Sequence, residues 1–230
     1  MAVSVDTVYQ RVLAILNKEN RGYMTPQEFN LMANQAQLEI FEQYFYDLNQ
    51  FNRAGEINNE YANIVKNIKE KINLFKIENY NLSISSGKYT LPSNLYRLGT
   101  VQYNNNEVEP ISTNEYIYIN KSPLAKPTTT YPVYIRESDS ILIYPTDIVS
   151  TVVCSYIKKP AKVNWTYFEV DGVALYNSSA ADHQNYELHP SEETILVNKI
   201  LTYAGLSIKQ TDIIQVADGK ENKKITQEKS

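Results

Sequence analysis

Residues 131–145 read YPVYIRESDSILIYP, in which two alternating apolar runs flank the polar stretch 137–140. Alternation with a period of two predicts β-strands, and the polar stretch predicts the turn that joins them. The same period appears at 81–91 and 95–103, and the apolar run at 148–157 predicts a further strand. The central part of the chain is therefore predicted to be antiparallel β-structure.

Both flanks of this β-region carry apolar residues at helical spacing. Residues 5–16 fit a first helix, and the capping box TPQE at 25–28 begins a second, with proline at the first helical position. Apolar spacing continues through 29–48 and again through 57–75. A C-terminal helix is predicted at 189–205, because its first turn contains proline and acidic residues and a glycine ends it.

The order of helices, strands and helix predicts an α+β protein. We expect an antiparallel helical bundle formed by the N- and C-terminal helices, with an inserted antiparallel β-domain. The bundle is predicted to be discontinuous, with residues 1–78 and 187–230 in the bundle and its C-terminal docking tail, and 79–186 in the β-domain. A length of 230 residues fits this plan at a prior of roughly 150 residues per domain.

Composition excludes several classes of function. Lys and Arg number 22 against 26 Asp and Glu, a net charge of -4, which argues against tight binding to nucleic acid. The N-terminus shows no signal peptide, and no apolar run reaches membrane-spanning length. Cys154 is the single cysteine, so the chain has no intramolecular disulfide or multi-cysteine zinc site, and we expect this thiol to be a buried core residue.

The two histidines are the first residues to consider for catalysis or metal binding. His183 and His189 lie close in sequence to Asp182 and Glu187. The spacing lacks the second histidine of helical zinc motifs, and the chain has no phosphate-binding loop or nucleophile elbow. We predict no catalytic residue, no cofactor and no metal, and therefore no enzymatic activity.

Tyrosine dominates the aromatic residues, with 19 Tyr against a single Trp. Tyrosine is enriched at protein interfaces, because its ring is apolar and its tip is polar. We predict that Tyr116, Tyr118 and Tyr134 lie at a subunit interface. An aromatic platform for sugars or single-stranded nucleic acid is the alternative, and the acidic balance counts against its nucleic-acid half.

Several short segments follow one another in a specific order along the chain. They are YTLPSNLYRL at 89–98, EY at 115–116, PVY at 132–134 with ILIYP at 141–145, VVCSYIKKP at 152–160, and ELHPSEET at 187–194 before ILTYAG at 200–205. Taken in this order, they resemble the head-to-tail adaptor proteins of short-tailed bacteriophages, in particular the ring proteins of crAss-like phages. The segment 163–186 is longer and more polar than that family plan.

The resemblance implies a structural virion protein of the neck or tail region, made in the cytoplasm of the bacterial host. Such proteins form a ring, commonly dodecameric, between portal and tail. The implied partners are further copies of this chain, the phage portal protein, other tail or ring proteins, and DNA that passes without tight binding. No membrane partner is expected.

The C-terminal segments of these adaptor proteins reach back to the portal. By resemblance, the apolar residues near the C-terminus of this chain would anchor a portal-docking tail. These residues are Ile208, Ile213, Ile214 and Val216.

Two other functions remain open from the sequence. One is a different ring or tail-tube component of the same virion. The other is a carbohydrate-binding module or hydrolase attached to the tail, which would depend on His183, Asp182 or Glu187.

Overall fold

A computed structural model of the chain describes residues 3–18, 24–54, 59–148 and 151–207. Contacts divide these residues into two compact units. The helical unit comprises the described residues of Met1–Leu74 and Pro160–Ser230, and the barrel unit is Phe75–Lys159. Residues 160–186, which the sequence analysis assigns to the β-domain, thus pack with the helices.

The chain begins in the helical unit, passes through the barrel unit and returns to the helical unit. The helices are α1 (Val5–Lys18), α2 (Pro26–Ala54), α3 (Asn59–Asn73), α4 (Thr113–Ile119) and α5 (Glu193–Ser207), with a 3-10 turn at Pro190–Glu192 before α5. The strands are β1 (Lys76–Ser85), β2 (Lys88–Thr90), β3 (Leu95–Tyr103), β4 (Asn106–Pro110), β5 (Val133–Arg136), β6 (Ser140–Tyr144), β7 (Val152–Lys158), β8 (Tyr167–Val170) and β9 (Val173–Tyr176).

Seven strands of the barrel unit close into a barrel in the order β1-β2-β6-β5-β4-β3-β7. Neighbouring strands are antiparallel except β4 and β5, which run parallel. Closure gives each strand a partner on both sides, so the barrel presents no long unpaired edge. Inward-facing side chains fill the interior, namely Leu82, Tyr89, Leu91, Val101, Val108, Tyr134, Ile141, Ile143, Ile148, Val152, Cys154 and Tyr156.

The hairpin predicted from residues 131–145 is confirmed. Strands β5 and β6 pair from Val133 opposite Tyr144 to Arg136 opposite Ile141. The Glu137 N–H donates to the Ser140 carbonyl oxygen over 2.9 Å and closes the turn. The sequence analysis missed the parallel pairing of β4 with β5, which α4 and the loop after it connect.

The α+β class is confirmed, but the predicted antiparallel helical bundle of N- and C-terminal helices is wrong, and the β-domain is a closed barrel with one parallel pair. Helix α2 does contact α3 and α5. However, the extended segment 160–188 also packs on the helices. The Asn34 side chain, for example, accepts a hydrogen bond from the Val163 N–H and donates to the Val163 carbonyl, both over 2.8 Å. Apolar residues at helical spacing show that one face of a helix is buried, but they do not show which part of the chain covers it.

Helix ends in this unit follow the sequence signals. The Thr25 hydroxyl accepts from the Glu28 N–H over 3.2 Å, and the Glu28 carboxylate accepts from the Thr25 N–H over 2.8 Å, so the predicted capping box is confirmed. These hydrogen bonds lower the pKa of Glu28, because they favour its ionised form. The helix predicted after His189 is also confirmed, as the 3-10 turn followed by α5.

We predict that Ile141→Ala destabilises the barrel by about 2–5 kcal/mol, because it removes a fully buried side chain from the interior. The matched control is Ile84→Ala in the same barrel, where the side chain is exposed and the cost should stay within about 0.5 kcal/mol. Chemical denaturation followed by circular dichroism measures both. Equal losses for the two variants would contradict the assignment of Ile141 to the core.

Candidate functional site

The histidines and their acidic neighbours take part in local hydrogen bonds. His183 Nε2 lies 2.8 Å from the Tyr176 hydroxyl, and His189 Nδ1 accepts from the Ser191 N–H over 3.2 Å at the start of the 3-10 turn. The Glu187 carboxylate accepts from the Ala161 N–H over 2.9 Å. Within the described ranges, no three His, Cys, Asp or Glu side chains converge as a metal site would require.

Cys154 points into the barrel and is buried, as the sequence analysis expects. Burial raises the pKa of its thiol to about 11, because the apolar surroundings disfavour the thiolate. The thiol is therefore protonated at neutral pH, and a protonated, buried thiol is a poor nucleophile.

The three tyrosines predicted at a subunit interface occupy different environments. Tyr116 stacks on Tyr144, with ring centroids 4.0 Å apart, and so ties α4 to the barrel. Tyr118, two residues along α4, is 75% exposed. Tyr134 is only 7% exposed and packs in the barrel interior. We therefore do not retain it as an interface residue. The predicted portal-docking residues Ile208, Ile213, Ile214 and Val216 lie outside the described residues.

The helical unit is organised around Trp165, which is 1% exposed. Its indole N–H donates to the Asp6 carboxylate over 2.9 Å, and its ring contacts that of Tyr9, with centroids 4.1 Å apart. The Asn30 side chain binds both backbone groups of Trp165, accepting from its N–H over 2.8 Å and donating to its carbonyl over 3.2 Å. One residue of segment 160–188 is thus fixed to both α1 and α2.

A two-stranded hairpin, β8 and β9, follows directly from this residue. Tyr167 and Tyr176 are opposite each other in the hairpin, and both rings stack on Trp165 at centroid distances of 5.7 and 5.8 Å. The turn consists of Asp171 and Gly172, which have φ values of 49° and 78°. Positive φ at both positions is typical of the tight turn that joins two adjacent strands.

The opposite face of the hairpin is apolar and open to solvent. Side chains alternate along a strand, so the residues between those that face Trp165 point away from it. Four of them pair across the hairpin, Phe168 with Leu175 and Val170 with Val173, and they are 43–58% exposed. We call these four residues the hairpin face. An ordered apolar sheet face open to solvent is typical of an interaction surface.

The barrel unit has a second exposed apolar region. Ile117 and Tyr118 on α4 are exposed, and so are Leu124, at 97%, and Tyr131 in the loop that follows. We call these four residues the α4 surface. Helix α4 has a full capping box, in which the Ser112 hydroxyl accepts from the Glu115 N–H and the Glu115 carboxylate accepts from the Ser112 N–H.

No protein-family model matches the chain. A search of curated proteins also finds no significant match. Among the described residues, no helix combines the length and apolar character needed to cross a membrane.

The sequence analysis missed the hairpin face, although the signal is present. Residues 167–176 read YFEVDGVALY, in which Asp-Gly separates two runs that mirror each other. An Asp-Gly pair flanked by alternating residues predicts a hairpin. What the sequence could not show is which face Trp165 covers, because both faces carry apolar side chains.

We predict that Trp165→Ala destabilises the helical unit by about 3–5 kcal/mol, because it removes a buried ring that three other rings contact. Trp165→Phe is the milder variant, which keeps one aromatic ring but removes the N–H bond to Asp6 and the second ring of the indole. Its cost should be smaller, about 1–3 kcal/mol. Denaturation followed by circular dichroism measures both, and a neutral Trp165→Ala would contradict the central role of this residue.

We also predict that Cys154 does not react with an aromatic disulfide reagent at pH 8 in the folded protein, because its thiol is buried and its pKa is about 11. Unfolding in denaturant should release one reactive thiol per chain, since the sequence has a single cysteine. The measurement is the absorbance of the released thiolate. Rapid reaction of the folded protein would show that the barrel interior is accessible.

Proposed function

We propose that this chain is a structural protein of a phage virion, a head-to-tail adaptor that forms a ring below the portal and joins the capsid to the tail. The observation that carries the proposal is the hairpin face. Four apolar side chains are exposed on a support that is itself fixed to α1 and α2 through Trp165. A surface held in this way is suited to a lasting contact with protein.

The hydrogen bonds of the polar side chains and the burial of the thiol also support a structural role. His183, Asp182 and Glu187 each hold a local hydrogen bond that stabilises segment 160–188. The one thiol is buried and protonated at neutral pH. Each side chain on which a tail-attached hydrolase would depend is thus engaged in a hydrogen bond within the fold.

The charge of α2 fits a wall past which DNA slides. Residues 26–54 carry four acidic residues, Glu28, Glu39, Glu42 and Asp47, against one basic residue, Arg53. Glu39 is paired with Lys199 of α5 over 2.9 Å, while Glu28 and Glu42 are exposed. Exposed carboxylates repel the phosphate backbone, so such a surface does not retain DNA. The ring would also contact other tail or ring proteins on its far side.

The proposal predicts that the purified chain assembles into a ring, alone or on its portal, and that Leu175→Asp prevents this assembly. A carboxylate in the middle of an apolar contact must be desolvated without a partner, which is costly. The matched control is Leu31→Asp, which changes an exposed leucine of α2 and should leave assembly intact. Native mass spectrometry and negative-stain imaging, with and without portal, measure the result.

Three outcomes would contradict the adaptor proposal. A chain that forms no ring and does not bind the portal under any condition is not an adaptor. Binding to tail proteins without the portal would instead favour another ring or tail-tube component. Saturable glycan binding that Asp182→Ala abolishes would favour a carbohydrate-binding module.

A further inference from the structure

A partner for the hairpin face has to match both its apolar centre and its charge. Asp171 lies in the turn between Val170 and Val173 of the hairpin face, while Glu169 alternates onto the other side of the hairpin and Asp182 follows in the loop. No lysine or arginine lies between residues 166 and 182. All three carboxylates are exposed. A complementary surface is therefore apolar at its centre and basic at its margin.

The α4 surface has this composition. The segment 112–131 that contains it carries Lys121 and Lys126 against a single carboxylate, Glu115. Both lysines are exposed, as are the four apolar residues of the surface. The Glu115 carboxylate accepts from the Ser112 N–H over 2.7 Å and is held in the capping box. The segment thus presents apolar side chains with a net positive charge.

The other exposed leucines in the described residues of α2 do not fit the hairpin face. Leu31 and Leu38 are exposed, but charged residues between 26 and 51 are all acidic. An acidic hairpin would be repelled by an acidic helix, since like charges placed against each other weaken association. Charge therefore favours the α4 surface over α2.

Building on the adaptor ring proposed above, we propose that the hairpin face of one copy of this chain docks on the α4 surface of the next copy. Two different surfaces then meet, so the contact is heterologous. A contact of this kind leaves a hairpin face free at one end of a growing chain of subunits and an α4 surface free at the other. Closure into a ring uses both of them, whereas a two-fold dimer would pair identical surfaces.

Site-directed cross-linking tests this contact directly. Val173→Cys places a thiol on the hairpin face, and Leu124→Cys places one on the α4 surface. The two variants are purified separately, mixed and treated with a short bis-maleimide linker, and the products are resolved by mass. The native Cys154 is buried and serves as the unreacted background.

The mixture should give a cross-linked dimer of the two variants, with at least tenfold less product from either variant alone. Leu31→Cys, on α2, is the matched control and should give no product with Val173→Cys. Product from Val173→Cys alone would show that like surfaces meet and would overturn the proposal. A cross-link between the two cysteines within a single chain that carries both substitutions would also overturn the proposal.

Charge reversal provides an independent measurement. Asp171→Lys, or Lys121→Glu with Lys126→Glu, should each weaken self-association severalfold, because each set of changes places like charges across the contact. A mixture of the two variants should associate more strongly than either one alone, since opposite charges face each other whichever variant supplies the hairpin face and whichever supplies the α4 surface. Sedimentation velocity measures the association.

The results separate this inference from the proposed adaptor role. If a ring forms on the portal but neither charge reversal nor cross-linking has the expected effect, the ring uses another contact and the inference fails alone. If the cross-link forms but the chain neither closes into a ring nor binds the portal, the surfaces are correctly paired and the adaptor role fails.

Discussion

The helical unit depends on the burial of one indole. Trp165 has to be covered by other groups and its N–H has to find an acceptor, because an unpaired buried donor is costly. Tyr9 of α1 covers the ring, Asp6 of α1 accepts a hydrogen bond from the indole N–H, and the Asn30 side chain of α2 binds the backbone N–H and carbonyl of Trp165. This arrangement draws segment 160–188 across the helices. Their apolar faces are therefore covered by extended chain as well as by one another.

The hairpin face is a consequence of the same burial. A two-stranded hairpin has two faces, and one of them lies on Trp165 through Tyr167 and Tyr176. The other face is left in solvent, and its four side chains are apolar. In the barrel unit, by contrast, closure buries the inward-facing side chains. Its exposed apolar residues include Tyr80 and Ile84 on β1 and the four residues of the α4 surface, where the chain leaves the barrel wall between β4 and β5.

These surfaces differ in charge. Acidic side chains dominate α2 and the hairpin, whereas lysines accompany the α4 surface. The buried ion pair of Lys71 with Glu192, at 2.7 Å, and the pair of Arg11 with Glu193, at 2.8 Å, hold helices within their own unit. They are internal to the fold, and losing one partner of the buried pair would leave a charge without compensation. The exposed charges, in contrast, are accessible to a second molecule.

The amino-acid sequence by itself determined the local structure: the capping box at Thr25, the hairpin at 131–145, the α5 start after His189 and the buried state of Cys154. The capping box, the hairpin and the helix start depend on residues near one another in the chain, and the apolar run around Cys154 predicts that this residue is buried. Only the tertiary structure decided that the strands close into a barrel, that Tyr134 faces inward, and that segment 160–188 covers helices. The reason is physical, because an alternating apolar pattern states that a face is buried, while its partner is chosen by packing between residues as far apart as Asp6 and Trp165.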